Sequence, residues 1–122
     1  VTNADQSSLS EISTRTTSLI DRARQRKCSA AELNGGTFTI TNLGAFGIDA
    51  FTPIINTPQT AILGIGTIRR EAVVLDDDRI AARDQMTLSL TFDHQAVDGA
   101  PAAAFLQTIC QAIENPSAWL ID

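Results

Sequence analysis

The chain has 122 residues, of which 43% are hydrophobic and 19% are charged, a balance typical of one globular domain and not of a disordered or collagen-like chain. Its formal net charge is -5. Nucleic acid and membrane are not expected partners, because phosphate binding needs clustered positive charge and no apolar run approaches the roughly 20 residues of a membrane span. Cys28 and Cys110 fit neither a CxxC pair nor a zinc pattern, which predicts two buried, reduced thiols in an intracellular protein.

The N-terminal third of the sequence predicts helices. Apolar residues recur at steps of three, four and one over residues 9–23, which places one apolar stripe along a helix. Ser8 and Glu11 form a capping-box pattern at its start. The same S-x-x-E pattern recurs at Ser29 and Glu32, where it predicts a second, short helical turn.

The middle of the chain predicts strands. Residues 37–41 alternate, with apolar side chains on one face and threonine hydroxyls on the other. Residues 51–56 contain Pro53 and predict an edge strand or an extended connection. Residues 60–68 form an apolar, β-rich run, which is typical of a strand covered on both faces.

The last third predicts a hairpin, a strand and a helix. Residues 72–75 and 79–82 flank three aspartates at 76–78, whose spacing favours a solvated turn over a calcium loop. Residues 86–92 alternate most clearly of all and predict a strand. Residues 100–114 predict a helix. Helices interspersed with strands in this order indicate an α/β protein.

Residues 93–99 carry the candidate chemistry, because they lie where the clearest strand passes into a helix. They include His94, the single histidine of the sequence. A general base needs a fixed ring and a pKa near the working pH, and an imidazole ordinarily has a pKa near 6.5. A lone histidine in a loop is more often a surface or packing residue, and that alternative stands beside the catalytic one.

Four motifs occur in order along the chain: G-G-T-F-T-I-T-N-L-G at residues 35–44, T-P-I-I-N-x-P at 52–58, A-I-L-G-I-G at 61–66 and H-x-x-x-D-G at 94–99. Together they resemble the acyltransferase (E2) components of 2-oxoacid dehydrogenase complexes, and the last motif is shared with chloramphenicol acetyltransferase. The resemblance implies an α/β (α+β) sandwich with a mixed sheet and flanking helices, similar to chloramphenicol acetyltransferase. Residues 1–122 would form the C-terminal half of a single acyltransferase catalytic domain.

The resemblance also implies a reaction: an acyl group passes from S-acyl-dihydrolipoyl to coenzyme A, with no metal and no covalent enzyme intermediate. In the family, the equivalent of His94 is the general base, and the equivalent of Thr41 donates a hydrogen bond to the oxyanion. Asp98 belongs to the same site, where a helix-capping role is preferred to proton transfer. Asp93 is expected to position backbone. Gln95 stands where the family usually has arginine.

An assembly and a location follow from the same resemblance. The active site would lie between subunits of a homotrimer, and trimers would build a cubic or icosahedral core that works with a lipoyl domain and the E1 and E3 components. The expected location is the bacterial cytoplasm, or the mitochondrial matrix in a eukaryote. The alternative is a non-catalytic structural core or scaffold subunit of such a complex. An antibiotic acetyltransferase fits less well, because Asp93 stands where that family usually has a second histidine.

Three further expectations concern packing. The Gly64-x-Gly66 pair lacks the third glycine of a dinucleotide site and predicts close strand packing. Arg69 and Arg70 could meet nucleotide phosphates, but a solvated strand end is the commoner role of such a pair. The predicted elements offer too few layers to cover both faces of a strand at residues 60–68, so residues 1–122 alone are expected to be inactive and to aggregate or stay loosely packed.

Overall fold

The computed structural model describes residues 1–120, within which α-helices, β-strands and short 3-10 turns follow one another in the predicted order. The helices and strands are α1 (Leu9–Arg24), α2 (Ala30–Leu33), β1 (Thr39–Asn42), β2 (Ala61–Ile65), β3 (Arg69–Val74), β4 (Ile80–Gln85), β5 (Leu88–Phe92) and α3 (Gly99–Glu114). This element order confirms the predicted α/β class.

The chain divides into two compact units. One comprises residues 1–37 together with the chain from residue 103 onward, and the other comprises residues 38–102. The second unit contains β1 to β5 and all of the residues predicted for the site. Within the described residues, no helix combines the length and the apolar character needed to cross a membrane.

Both predicted capping boxes are present. The Glu11 N–H donates to the Ser8 hydroxyl at 3.3 Å, and the Ser8 N–H donates to the Glu11 carboxylate at 2.8 Å. Ser29 and Glu32 form the same pair of bonds at 3.3 and 2.9 Å. The serine N–H bond is the main reason that the pKa of each glutamate falls below its ordinary value, and for Glu32 the Arg22 guanidinium, 2.5 Å away, adds to the effect.

A three-stranded mixed sheet organises the second unit. Its order is β1-β2-β5, with β1 parallel and β5 antiparallel to β2. Side chains at paired positions point to the same face, so the register assembles one face that carries the hydroxyls of Thr39, Thr41, Ser89 and Thr91. The predicted hydroxyl-lined side of β1 is confirmed. It is the half-buried side, whereas Ile40 on the opposite face is 63% exposed.

The central strand β2 is covered on both faces, as predicted. Ile62 and Leu63 retain only 5% and 4% of their accessible surface, and Gly64 after them is also buried. These consecutive residues alternate between faces, so both faces of β2 are covered at this point. Ile40 of the neighbouring β1 is 63% exposed, and the expectation that residues 1–122 alone offer too few layers for the whole sheet stays a prediction. The strand ends at Ile65, three residues earlier than predicted, and the Gly66 N–H donates to the Thr87 carbonyl instead.

The β3–β4 hairpin is confirmed and is longer than predicted, because pairing begins at Arg69 and Gln85. The three aspartates form its turn, as predicted. The Leu75 N–H donates to the Arg79 carbonyl at 2.8 Å, and the Asp78 N–H donates to the Leu75 carbonyl at 2.9 Å. Asp78 adopts a left-handed conformation (φ 61°), which aspartate tolerates better than most residues.

Two smaller predictions can be compared directly with the structure. Residues 51–56 form the extended connection and not the edge strand, with Pro53 buried. Cys28 and Cys110 are free thiols, as predicted, but they are half-buried and not fully enclosed.

Candidate functional site

The imidazole of His94 stands in the turn between β5 and α3 and is 73% exposed. The ring of Phe92 lies beside it, with centroids 5.8 Å apart. Nδ1 lies 3.9 Å from Oδ1 of Asp98, which is too long for a hydrogen bond but close enough for an ion pair when the ring is protonated.

Asp93 builds the turn that presents this imidazole. Its N–H donates to the Thr60 carbonyl at 2.8 Å, which continues the β2–β5 pairing by one residue. Its carboxylate accepts from the Gln95 N–H at 2.9 Å, and its carbonyl accepts from the N–H groups of Ala96 and Val97, each at 3.0 Å. The N–H, the carboxylate and the carbonyl of Asp93 therefore each form hydrogen bonds that hold the backbone of the turn in place, as predicted.

The structure places Asp98 differently from the expectation. Its carbonyl accepts from the Ala102 N–H at 3.2 Å, so the hydrogen bonding of α3 begins there. Its carboxylate is 86% exposed and faces His94. The predicted side-chain cap of α3 is not seen in the described part of the chain, and the approach to His94 follows from the four-residue spacing across a turn.

Thr41 lies on the half-buried hydroxyl face, beside Gly64 in the register. A Cβ built on Gly64 would lie 2.9 Å from Cζ of Phe51, so the phenyl ring covers that glycine. Phe51 is a neighbour of Gly64 that sequence reasoning did not assign to the site. Phe51 is 13 residues from Gly64 in the chain, and nothing in the local pattern links the two.

The structure does not bring Thr41 and His94 of one chain together. Thr41 is level with Ser89, since both pair with Gly64. His94 follows Ser89 by five residues, and β1 lies two strand spacings from β5. Strand β5 ends at Phe92, three residues beyond Ser89, so at about 3.4 Å per residue and about 4.8 Å per spacing its end lies roughly 14 Å from Thr41. His94 lies in the turn beyond that end.

The other candidate sites are structural. A Cβ on Gly66 would overlap the Asp49 carbonyl oxygen, and one on Gly44 would lie 2.6 Å from the Gly66 carbonyl oxygen, which confirms close packing. Arg69 lies 3.7 Å from the Asp49 carboxylate, and Arg70 lies 3.4 Å from an aspartate of β4. Both arginines are exposed at a strand end, as predicted. Among the described residues, no three side chains form a metal-binding group.

Comparison with known proteins identifies the family. The model of the 2-oxoacid dehydrogenases acyltransferase (catalytic domain) family matches residues 1–121, and the chain belongs to that family. It is 44% identical over 121 residues to the dihydrolipoyllysine-residue acetyltransferase component of the acetoin cleaving system of Bacillus subtilis. That match covers 99% of this chain and 30% of the relative, so the chain spans under a third of the curated protein's length.

Solved structures agree. The chain superimposes on Azotobacter vinelandii dihydrolipoamide acetyltransferase with a TM-score of 0.90 and 35% identity, over 95% of this chain and 47% of that one. It matches the cubic core of the pyruvate dehydrogenase multienzyme complex with the same TM-score, 36% identity and the same coverage. The predicted fold, similar to chloramphenicol acetyltransferase, is thereby confirmed.

Proposed function

We propose that this chain is the C-terminal half of an acyltransferase catalytic domain that moves an acyl group from S-acyl-dihydrolipoyl to coenzyme A. The observation that carries the proposal is the family match over residues 1–121, combined with an exposed imidazole in the turn after β5. In this scheme the lipoyl-linked acyl group and coenzyme A are the substrates. Residues of this chain carry out the proton transfer.

His94 is the proposed general base. Nε2 takes the proton from the thiol of coenzyme A as the sulfur attacks the acyl carbon of the thioester. The tetrahedral intermediate then collapses, the bond between the acyl carbon and the lipoyl sulfur breaks, and the departing thiolate takes the proton back from the imidazolium. Oδ1 of Asp98 lies 3.9 Å from Nδ1, so the carboxylate stands beside the ring without a hydrogen bond to it.

Thr41 is the proposed oxyanion donor. Its hydroxyl would donate to the carbonyl oxygen that becomes negative in the intermediate, and a donor of this kind contributes about 3 kcal/mol to lowering the barrier. The studies of the Azotobacter protein concern the catalytic roles of a serine, a histidine and an asparagine four residues after the histidine. His94 and Asp98 have the same four-residue separation, and Thr41 supplies the hydroxyl of the serine.

The separation of the two residues favours a site shared with a second subunit. The attacked carbon lies within about 3.5 Å of the sulfur at attack, so the base and the donor act from positions a few ångströms apart. Within one chain, Thr41 lies roughly 14 Å from the end of β5, and His94 lies in the turn beyond that end. This separation supports His94 of one copy acting with Thr41 of another, in a homotrimer with its sites between subunits.

The wider assembly is part of the proposal. One of the matching structures is the cubic core of a multienzyme complex, which supports a role for this chain in a core that receives lipoyl domains and the E1 and E3 components. Such a subunit has a structural role as well as a catalytic one. We place it in the bacterial cytoplasm, or in the mitochondrial matrix if the source is eukaryotic.

His94→Ala in the full-length protein tests the function. Coenzyme A-dependent acyl transfer from acyl-dihydrolipoamide should fall by about 10²-fold or more, because general base catalysis contributes at least that much, while the assembly keeps its size and melting temperature. Acetyl, succinyl and branched-chain donors are compared in parallel to identify the acyl group. Transfer within threefold of wild type would overturn the assignment and favour the purely structural core subunit.

A further inference from the structure

A side-chain hydrogen bond ties β1 to the segment before β2. The Thr39 hydroxyl donates to Oε1 of Gln59 at 2.6 Å, and the bond is partly buried although 20 residues separate its partners. Thr39 lies two residues before Thr41, on the same face of the strand. The position of Gln59 is thus fixed against the strand that carries the proposed oxyanion donor.

The same segment also holds the turn that carries His94. Gln59 is followed by Thr60, whose carbonyl accepts the Asp93 N–H at 2.8 Å. Gln59 itself closes a turn, since its N–H donates to the Asn56 carbonyl at 3.0 Å. Thr60, the residue next to Gln59 in the chain, therefore holds Asp93 by a hydrogen bond, and Asp93 directly precedes His94.

This anchor matters because little else restrains the imidazole. His94 is 73% exposed, and its ring contacts are the Phe92 ring at 5.8 Å and the Asp98 carboxylate at 3.9 Å, neither of which fixes a direction as a hydrogen bond does. The ring's location depends on its backbone, and the backbone turn depends on Asp93. A base displaced by about 1 Å can lose a large part of its rate.

We propose that Thr39 and Gln59 form a positioning pair that holds the His94 turn through Thr60 and Asp93. The pair touches no reacting atom and acts through the backbone of the turn. The inference rests on the proposed function for its kinetic readout, and it has a structural readout that does not depend on activity. It also links β1, which carries the proposed oxyanion donor, to the segment before β2, whose Thr60 carbonyl accepts the Asp93 N–H.

The test uses matched variants of the full-length protein. Thr39→Val and Gln59→Leu remove the bond with little change of volume, whereas Thr39→Ser and Gln59→Glu keep a donor or an acceptor. We expect the first two to lower kcat by about tenfold with KM changed less than twofold, because the base is displaced while substrate contacts remain. The Thr39→Ser variant should stay within about twofold of wild type in both constants.

The double variant Thr39→Val, Gln59→Leu should be no slower than either single variant, because each change removes the same bond. Hydrogen exchange followed by mass spectrometry should show faster exchange at the Asp93 amide in both single variants and unchanged exchange in Thr39→Ser. Multiplicative kinetic effects, or exchange at Asp93 equal to wild type in Thr39→Val, would overturn the positioning pair. If wild type transfers no acyl group, the proposed function fails, and the exchange measurement alone decides on the pair.

Discussion

Thr41 shows how a residue's role depends on the face it occupies. It shares the half-buried face of β1 with Thr39, and the two residues have different neighbours: Thr39 is bonded to Gln59, while Thr41 pairs with Gly64 in the register. The Thr39 hydroxyl is engaged by Gln59, so Thr41 is the residue of this pair to which we assign the oxyanion role.

Thr41→Ala should lower kcat by about 10²-fold and change KM little, because the hydroxyl matters chiefly when the carbonyl oxygen carries charge. Thr41→Ser keeps the hydroxyl and should be mild. Steady-state kinetics of the full-length variants, with both substrates varied, measure the two constants separately. A rise in KM alone for Thr41→Ala would make the hydroxyl a ground-state contact and remove the oxyanion role.

The predictable elements are those whose signal is local. Helix α1 begins at Leu9, directly after the Ser8 cap, because the S-x-x-E pattern satisfies backbone N–H groups within four residues. Strand β5 follows from its alternation, and helix α3 follows from Pro101 in its first turn and from Asn115-Pro116 at its end. The motifs that carried the resemblance located His94, Thr41 and Asp98 in the chain.

Contacts between segments that are distant in the chain could not be predicted from local sequence patterns. The Phe51 ring over Gly64 and the Thr39–Gln59 bond join residues 13 and 20 positions apart, and neither has a periodic signature. The sequence also does not indicate which face of β1 is buried, because an alternating pattern defines two faces without saying which is covered. In the structure the hydroxyl face is the half-buried one, and Ile40 on the opposite face is largely exposed.

At the scale of the element, we predict that the Ser8 cap governs the first turn of α1. Ser8→Ala should weaken that turn by about 1 kcal/mol and speed amide exchange at residues 9–12 about fivefold at pH 7. Hydrogen exchange with mass spectrometry on the full-length protein measures this. Ser29→Ala, which removes the equivalent cap of α2, is the matched control and should leave residues 9–12 unchanged.

The same cap should be sensitive to acid. Because the Ser8 N–H lowers the pKa of the Glu11 carboxyl in the folded chain, its stabilisation is complete above the ordinary glutamate pKa and is lost as the pH falls through the lowered value. The difference in exchange between wild type and Glu11→Gln, which removes the carboxylate, should therefore be smaller at pH 3 than at pH 7. An equal difference at both pH values would show that Glu11 does not contribute.

At the scale of the whole molecule, much of the apolar surface is not covered by the chain itself. Ile62, Leu63 and Ala102 are the buried core hydrophobic side chains among the described residues, whereas Ile54 and Phe46 are 88% and 79% exposed. The chain also matches 47% of the length of the solved acetyltransferase core. Apolar surface of this extent is typical of a protein that packs against further chain or other subunits.

An active site shared between subunits predicts complementation. His94→Ala and Thr41→Ala, each nearly inactive alone, should regain activity when they assemble into mixed trimers. A site that takes His94 from a Thr41→Ala subunit and Thr41 from a His94→Ala subunit has both groups intact. With random mixing of equal amounts, about a quarter of the sites meet this condition, so activity should reach about a quarter of the wild-type value.

The measurement is acyl transfer after co-expression of the two variants, with the separately expressed variants mixed without subunit exchange as the control. The double variant His94→Ala, Thr41→Ala co-expressed with His94→Ala is a second control and should stay inactive, because every subunit then lacks the base. If both groups of a site came from one chain, no mixed site would be complete, and co-expression would give no more activity than the separate variants. Recovery therefore distinguishes a shared site from a self-contained one, and the roughly 14 Å between Thr41 and the end of β5 within one chain favours the shared site.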